Sequence, residues 1–417
     1  MSYVSHLRCT SCSKEFALDA VMNLCPHDNR PVEIVFDTER LRSELPYLQW
    51  YRPDLKSMWR FGALMPLNIS NDAERSNIIS LGEGYTPLIP LPEFALAKKL
   101  GFKLYLKDEG QPHPGYGKNP TASFKDRGMS VVVSMAKKLG LQQLAVPTQG
   151  NAGDSLTEYA LEAGIEIAVA MPDDTPMPIL GRVAAMEKLH SKVHLELVQG
   201  TIRDAGELLK EKYISKGFFS AATFQEPGWR IDGKKTLGLE LAEPINGIKE
   251  DWSLPDVILY PCGGGTGIVG MWKAFDELEA IGVIGSKRPK IIAVQSEATA
   301  PVVNAMQAGD DDTQLVEAGK TIATGLNVPA GVGHFRVLQI IRQSGGAAIA
   351  VSETQIKNKL REVYESNRIW ICPEGAATLA ALEPSCELGL IDRDSTVIAF
   401  NTGSFEKYLP NVREIIF

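Results

Sequence analysis

What this chain has little of narrows its chemistry first. Six of its 417 residues are cysteine, and they form no disulfide framework: Cys9, Cys12 and Cys25 crowd the first segment, while Cys262, Cys372 and Cys386 are scattered among apolar residues. In a chain of this size that spacing points to reduced thiols or a metal, not to cross-links. Long basic runs are missing, and the formal net charge is −8. Nucleic acid and anionic membranes are therefore not expected partners, although a local phosphate pocket remains compatible with that charge. Unbroken apolar runs are missing too. The most apolar window, Val257 to Phe275, contains five glycines and Pro261, with Lys273 near its end; it reads as strand, loop and helix, not as a membrane span. Met1 to His6 show no apolar core of signal-peptide type, and a reducing, cytoplasmic compartment is expected.

What is present is an ordinary globular composition, 44% hydrophobic and 23% charged. A chain this long outgrows a single core, so two domains or slightly more are expected. Residues 45–76 are aromatic and proline-containing without clean periodicity, and read as an arm packed on the main body. Beyond it, apolar segments alternate in type. Strands are expected at Lys103 to Lys107, Leu144 to Thr148, Glu166 to Met171, Val193 to Val198, 256–260, 290–295, 347–351 and 395–400. Helices are expected at about 127–139, in a segment opened by Gln149 to Gly153 and running to Ala163, from Pro178 to Leu189, and at 234–243, 267–281, 301–308, 353–367 and 374–382. This alternation predicts parallel sheets covered on both faces, in two α/β lobes with a cleft, where ligands sit at the carboxyl ends of strands. The corresponding domain ranges are 1–36 for a small N-terminal module, 37–120 with 215–417 for a large domain, and 121–214 for a small one.

The N-terminal module carries Cys9-x-x-Cys12 and Cys25-Pro26-His27-Asp28, the spacing of two zinc knuckles facing each other across a hairpin. A fourth cysteine is missing, so Asp28 or His27 would complete a structural zinc site in a zinc-ribbon-like segment, or the fold would stand without metal.

Four stretches carry the chemistry, each at a strand's carboxyl end or a helix start. Asn119-Pro120-Thr121-Ala122-Ser123-Phe124-Lys125-Asp126-Arg127-Gly128 places Lys125 in the first turn of a helix. Unsatisfied N–H groups and the positive end of the helix dipole disfavour a charged amine there, as a Schiff-base nucleophile requires. Cys262-Gly263-Gly264-Gly265-Thr266-Gly267 lies between strand and helix and can aim several backbone N–H groups at one phosphate. Gly265, Gly267 and Gly270 also match a dinucleotide fingerprint, but the loop does not follow the first strand of its lobe, as a nicotinamide enzyme would require. Gly150-Asn151 opens a further helix, and Thr402-Gly403-Ser404 follows the last strand. Singly, these have plainer readings: a surface lysine, a glycine-tolerant turn, a helix cap and a hydroxyl turn. Four together are harder to explain that way.

Together they resemble the fold-type II pyridoxal-phosphate enzymes, related to the tryptophan synthase β chain, and among them the threonine synthases. Leu81 to Leu88 resembles that family's Gly-Glu-Gly-x-Thr-Pro-Leu segment, and Asn119 to Gly128 its cofactor-lysine motif. Pro227 to Thr236 and Cys372 to Ala377 are similar to two further motifs, and the N-terminal cysteines to those of many bacterial and archaeal members. The resemblance implies Lys125 as the catalytic lysine, holding the cofactor and shuttling protons. It implies Gly263, Gly264, Gly265, Thr266 and Gly267 on the cofactor phosphate, Asn151 on the ring oxygen and Thr402 at the pyridine nitrogen. Arg230, Lys235, Thr86 and Ser123 would face the substrate, with Arg230 and Lys235 on its phosphate. The implied reaction turns O-phospho-L-homoserine and water into L-threonine and phosphate, with no nucleic acid or membrane partner and a homodimeric assembly. Cysteate synthases, serine or threonine dehydratases and a non-catalytic paralogue are the alternatives. Three departures bear on the substrate: about seven extra residues within Gly110 to Lys118, an altered Ser220 to Gln225, and Phe405 where glycine is usual.

Overall fold

The computed structural model describes residues 2–245 and 248–416. They fall into two compact units. The first comprises the chain up to Tyr85, Asn119–Thr236 and Ala280–Gly282; the second comprises Thr86–Lys118, Leu237–Glu279 and Val283 onward.

The first unit holds a four-stranded sheet in the order Val193–Val198, Glu166–Pro172, Gln143–Pro147, Phe219–Ser220, all parallel. Its central strands are near-continuous runs of Ala, Val, Ile and Met, because helices screen both faces of such a sheet. The same unit holds an antiparallel ribbon of Glu15–Phe16, Val4–Cys9 and Val32–Phe36. The second unit is built on six strands in the order Ala347–Val351, Lys290–Ser296, Val257–Pro261, Thr396–Asn401, Lys103–Asp108, Leu88–Pro90. Five run parallel, and only Leu88–Pro90 is antiparallel to its neighbour. A single core joins Leu104, Leu106, Leu259, Val294, Val397 and Ala399 from these strands to the buried faces of the helices Glu353–Asn367 and Pro373–Ala380. No helix among the described residues is long and apolar enough to cross a membrane.

Strand and helix positions follow the expected alternation, with instructive exceptions. The helix expected at 234–243 spans Trp229–Ala242. Gly233 lies inside this helix: a Cβ there would lie 2.1 Å from the Arg127 carbonyl oxygen, so glycine lets two helices touch. The helix Ile202–Lys212 was not anticipated, although Thr201 and Asp204 form a reciprocal capping box at its start, a signal present in the sequence. The helix His334–Gln343 was likewise not anticipated.

The compact units also divide the chain differently from the expected domain ranges, grouping 37–85 and 215–236 with the Lys125 segment. Buried hydrogen bonds explain the first of these. Within the aromatic arm, Met58–Leu64 is wholly buried. The Trp59 indole donates to Glu83 and to Ser130 at 2.9 and 3.1 Å. Glu83 is itself a buried hub, accepting also from Ser130, Ser80, the Leu81 amide and Tyr159, each within 3.0 Å. Replacing Glu83 with Ala would strand several buried donors at once. We expect E83A to lower unfolding free energy by roughly 3 kcal/mol or more, read from urea denaturation, with E83Q intermediate.

Candidate active site and metal cluster

In the first unit, the loop before Lys125 is shaped by one carboxylate. Asp126 accepts from the Thr121 amide and hydroxyl at 2.7 and 2.6 Å, and from the Ser155 hydroxyl at 2.6 Å. This clamps Ala122 in the left-handed region, φ +56°, a conformation that favours glycine. Lys125 is then the first residue of the helix Lys125–Lys138, where backbone N–H groups lack intrahelical partners. Its Nζ stands 4.7 Å from the centre of the Phe124 ring. Two residues earlier, the buried Ser123 hydroxyl has no hydrogen-bond partner. Asn151 opens the helix Asn151–Ala163, which is tied to the Lys125 helix through Ser155 and Asp126.

Arg230 and its surroundings lie in the same unit and are buried. The guanidinium donates to the Thr223 hydroxyl at 3.2 Å and to the Ala221 carbonyl, while Nε has no hydrogen-bond partner. Glu226 lies 3.6 Å from that Nε; burial pushes its carboxyl up to about 7 against the pull of Arg230. Lys235, expected beside Arg230 on a phosphate, is instead ion-paired with Asp232 at 2.7 Å and stands 3.9 Å from the centre of the Phe36 ring. Five residues round a helix put it on a different face from Arg230. Lys234 shares Arg230's face and was missed. A Cβ on Gly128 would touch both Arg230 and Lys234, and the Lys234 ammonium reaches the Phe124 carbonyl and ring. The i, i+4 spacing on a helix was the signal that could have found it.

The second unit carries the glycine loop and Thr402. Gly263, Gly265 and Gly267 are glycine for steric reasons. A Cβ would meet the Gly325 carbonyl at 2.4 Å, Val337 at 2.3 Å and the Tyr260 hydroxyl at 2.0 Å respectively, and Gly265 has φ +82°. Thr266 begins the helix Thr266–Ala280, whose first amides are available to an anion. His334, another residue missed, holds the loop from behind. Its Nε2–H donates to the Gly263 carbonyl at 2.9 Å, and its Nδ1 accepts from the Thr313 hydroxyl at 3.0 Å; burial lowers its pKa and keeps it neutral. Thr86, expected to face a substrate, gives its hydroxyl to Glu109, and its carbonyl accepts from the buried Lys107 ammonium.

Thr402 follows Asn401, whose carboxamide is gripped by the Cys372 amide at 3.0 Å and by Asp108 at 2.7 Å. The Cys372 sulfur lies 3.9 Å from the Thr402 hydroxyl. The extra segment after Glu109 is seated on the turn that follows Thr402. A Cβ on Gly110 would lie 2.1 Å from the Gly403 carbonyl, Gln111 donates to Glu406 at 2.7 Å, and His113 bonds Asp108 at 2.9 Å. Phe405 stacks on Trp370 at 4.8 Å within the core.

The family model for pyridoxal-phosphate dependent enzymes matches residues 79–403. This chain belongs to that family. It is 30% identical to a threonine synthase of Methanosarcina acetivorans, over 96% of this chain and 92% of that one. A threonine synthase of Methanocaldococcus jannaschii is also 30% identical, over 95% and 91%. Among solved structures, diaminopropionate ammonia lyase from Escherichia coli superposes with TM-score 0.65 at 18% identity, covering 83% of this chain and 92% of that one. Threonine deaminase isoform 2 from Solanum lycopersicum gives 0.62 at 22%, covering 80% and 83%. These structures share the two-sheet α/β fold. Pyridoxal phosphate is the family's cofactor, and the residues present fit it: a glycine run leads into the start of the helix Thr266–Ala280, whose first amides suit a phosphate.

Among the described residues, ligand atoms of Cys9, Cys12, Cys25 and Asp28 lie within 4.8 Å of one another. Cys12 and Cys25 sulfurs are 3.7 Å apart, close to the edge of roughly 3.8 Å expected for a tetrahedron of Zn–S bonds. Amides of Ser11 and Cys12 point at the Cys9 sulfur at 3.4 Å, as zinc knuckles require. Of the two expected fourth ligands, the cluster contains Asp28.

The cradle's geometry is testable by itself. G265A should destabilise the protein by about 2 kcal/mol, through left-handed strain and overlap with Val337. V337A should cost less in that background than in wild type, with a coupling of about 1 kcal/mol in a denaturation double-mutant cycle.

Proposed function

We propose that this chain is a threonine synthase, converting O-phospho-L-homoserine and water to L-threonine and phosphate. The observation that carries the reading is similarity to threonine synthases over nearly the whole length of both chains, with the Lys125 loop intact. Bound pyridoxal phosphate supplies an electron sink for the bonding pair left when a substrate proton departs. The chain's own residues do the rest. Gly263, Gly264, Gly265, Thr266 and Gly267 would hold the cofactor phosphate through backbone N–H groups, with His334 keeping the Gly263 carbonyl turned away from it. Asn151 would bond the ring oxygen. The Thr402 hydroxyl, a neutral partner, would leave the ring nitrogen unprotonated. Lys125 would hold the cofactor and carry protons on Nζ, taking one from the substrate's Cα and later one from Cβ. Arg230 would bind the substrate phosphate, since its Nε, although 3.6 Å from Glu226, lacks a hydrogen-bond partner in a buried setting where an unmet donor is unfavourable. The Ser123 hydroxyl would turn to the substrate beside it.

The chain also carries, on this reading, a structural zinc held by Cys9, Cys12, Cys25 and Asp28. The metal would cross-link the ribbon's two knuckles and supply no open coordination position.

Two measurements test these assignments. Purified protein should show a visible cofactor absorption band that K125A lacks, and should release equal amounts of phosphate and threonine from O-phospho-L-homoserine. Release of pyruvate from serine or 2-oxobutyrate from threonine, with the phosphorylated substrate untouched, would overturn the synthase reading. Metal analysis should find about one zinc per chain, reduced in D28A and C25S. Metal-free protein whose melting temperature ignores both zinc and chelator would exclude the site.

A further inference from the structure

The N-terminal ribbon touches the stretch of the first unit where the sequence departs from its relatives. Asn23 lies two residues before Cys25. Its carboxamide nitrogen has two N–H donors, and both are used on that stretch: one on the Ser220 carbonyl at 2.9 Å, the other on the Gln225 carbonyl. Because both partners are acceptors only, the amide's orientation is dictated and not arbitrary. The side chain thus ties together the two ends of Ser220 to Gln225. Inside those ends the segment is a closed turn. The Gln225 amide donates to the Ala222 carbonyl at 2.8 Å, and the Ser220 hydroxyl bonds the Gln225 side chain at 3.1 Å. Phe224 is buried with φ +63°, a strained conformation that persists only where the surroundings impose it. The crown of the turn grips Arg230, through the Ala221 carbonyl and the Thr223 hydroxyl.

Two further contacts join ribbon and helix. A Cβ on Gly228 would lie 2.9 Å from the Ile34 amide, and Phe36 covers the Lys235 ammonium. The ribbon therefore supports the back of the Arg230 segment at three points, on either side of the arginine.

We propose that Asn23 is a positioning residue for the substrate's anionic group, and that the cysteine ribbon acts through it to fix the Arg230 guanidinium. This deepens the threonine synthase reading and rests on it for the identity of the anion; the mechanical link from Asn23 to Arg230 does not. The altered stretch Ser220 to Gln225 is thus closed by a side chain from the ribbon. A planar guanidinium recognises phosphate only when its direction is set, so a freed turn weakens binding more than turnover.

The test uses full-length, cofactor-loaded enzyme. N23A and N23D, the latter isosteric but without N–H donors, should speed hydrogen exchange in peptides spanning Ala221 to Arg230. Peptides of the Lys125 helix and the cofactor absorption band should stay as in wild type. KM for O-phospho-L-homoserine should rise roughly tenfold with little change in kcat, and N23Q should restore part of it. Chelation of the ribbon's metal in wild type should reproduce the same exchange pattern. Unchanged exchange over 221–230 in both variants would overturn the proposal, as would faster exchange with KM unmoved. If wild type does not turn over the phosphorylated substrate, the synthase reading fails while the exchange result still decides the link. Should N23D not fold, N23S, which keeps one donor, must fall between wild type and N23A in exchange rate; exchange equal to wild type would count against the link.

Discussion

Three short hydrogen bonds converge on the buried carboxylate of Asp126, and the shape of the loop before Lys125 depends on them. They bend the chain at Thr121, hold Ala122 in a conformation it would otherwise avoid, and deliver Lys125 to a helix start. The third bond, from Ser155, joins this helix to the one that Asn151 begins. One carboxylate thus sets the position of both residues proposed to touch the cofactor ring. An unpaired acid at this depth would be strongly unfavourable; with three donors it becomes the most constraining group in the loop.

Glycines do the complementary work of letting backbone approach backbone. Gly233 seats one helix against the carbonyl of Arg127, which brings Arg230 and Lys234 over the first turn of the Lys125 helix. In the second unit Gly263, Gly265 and Gly267 each meet a different neighbour at distances no Cβ allows. The glycine loop is consequently held on one side by His334, Val337 and Gly325.

Several charges of the first unit are internal. Arg127, Arg230, Lys234 and Lys235 are all buried, alongside Asp126, Glu226 and Asp232. Such groups are tolerable only when each is bonded, so the segment 220–236 cannot be understood one residue at a time. Arg230 is directed by a turn, and that turn is closed by a residue of a different module. The aromatic departure at Phe405 is of a different kind: it fills core space beside Trp370.

Composition and alternation were enough to determine the α/β class, the parallel sheets and most element positions, and the resemblance of several short motifs to a known family pointed to the pyridoxal-phosphate enzymes. These are local properties: a period, a glycine run, a lysine after a turn. The four metal-ligand candidates were legible for the same reason, since knuckle spacing is short-range. Only the tertiary structure decided which buried groups pair. Lys235 looked like a partner for phosphate, yet it is an ion-paired core residue, because helix phase turns it toward Phe36 and Asp232. Lys234, Asn23 and His334 act on residues 110, 197 and 71 positions away. No sequence period records contacts at such separation, because they are set by how helices, ribbon and loops pack after each has formed.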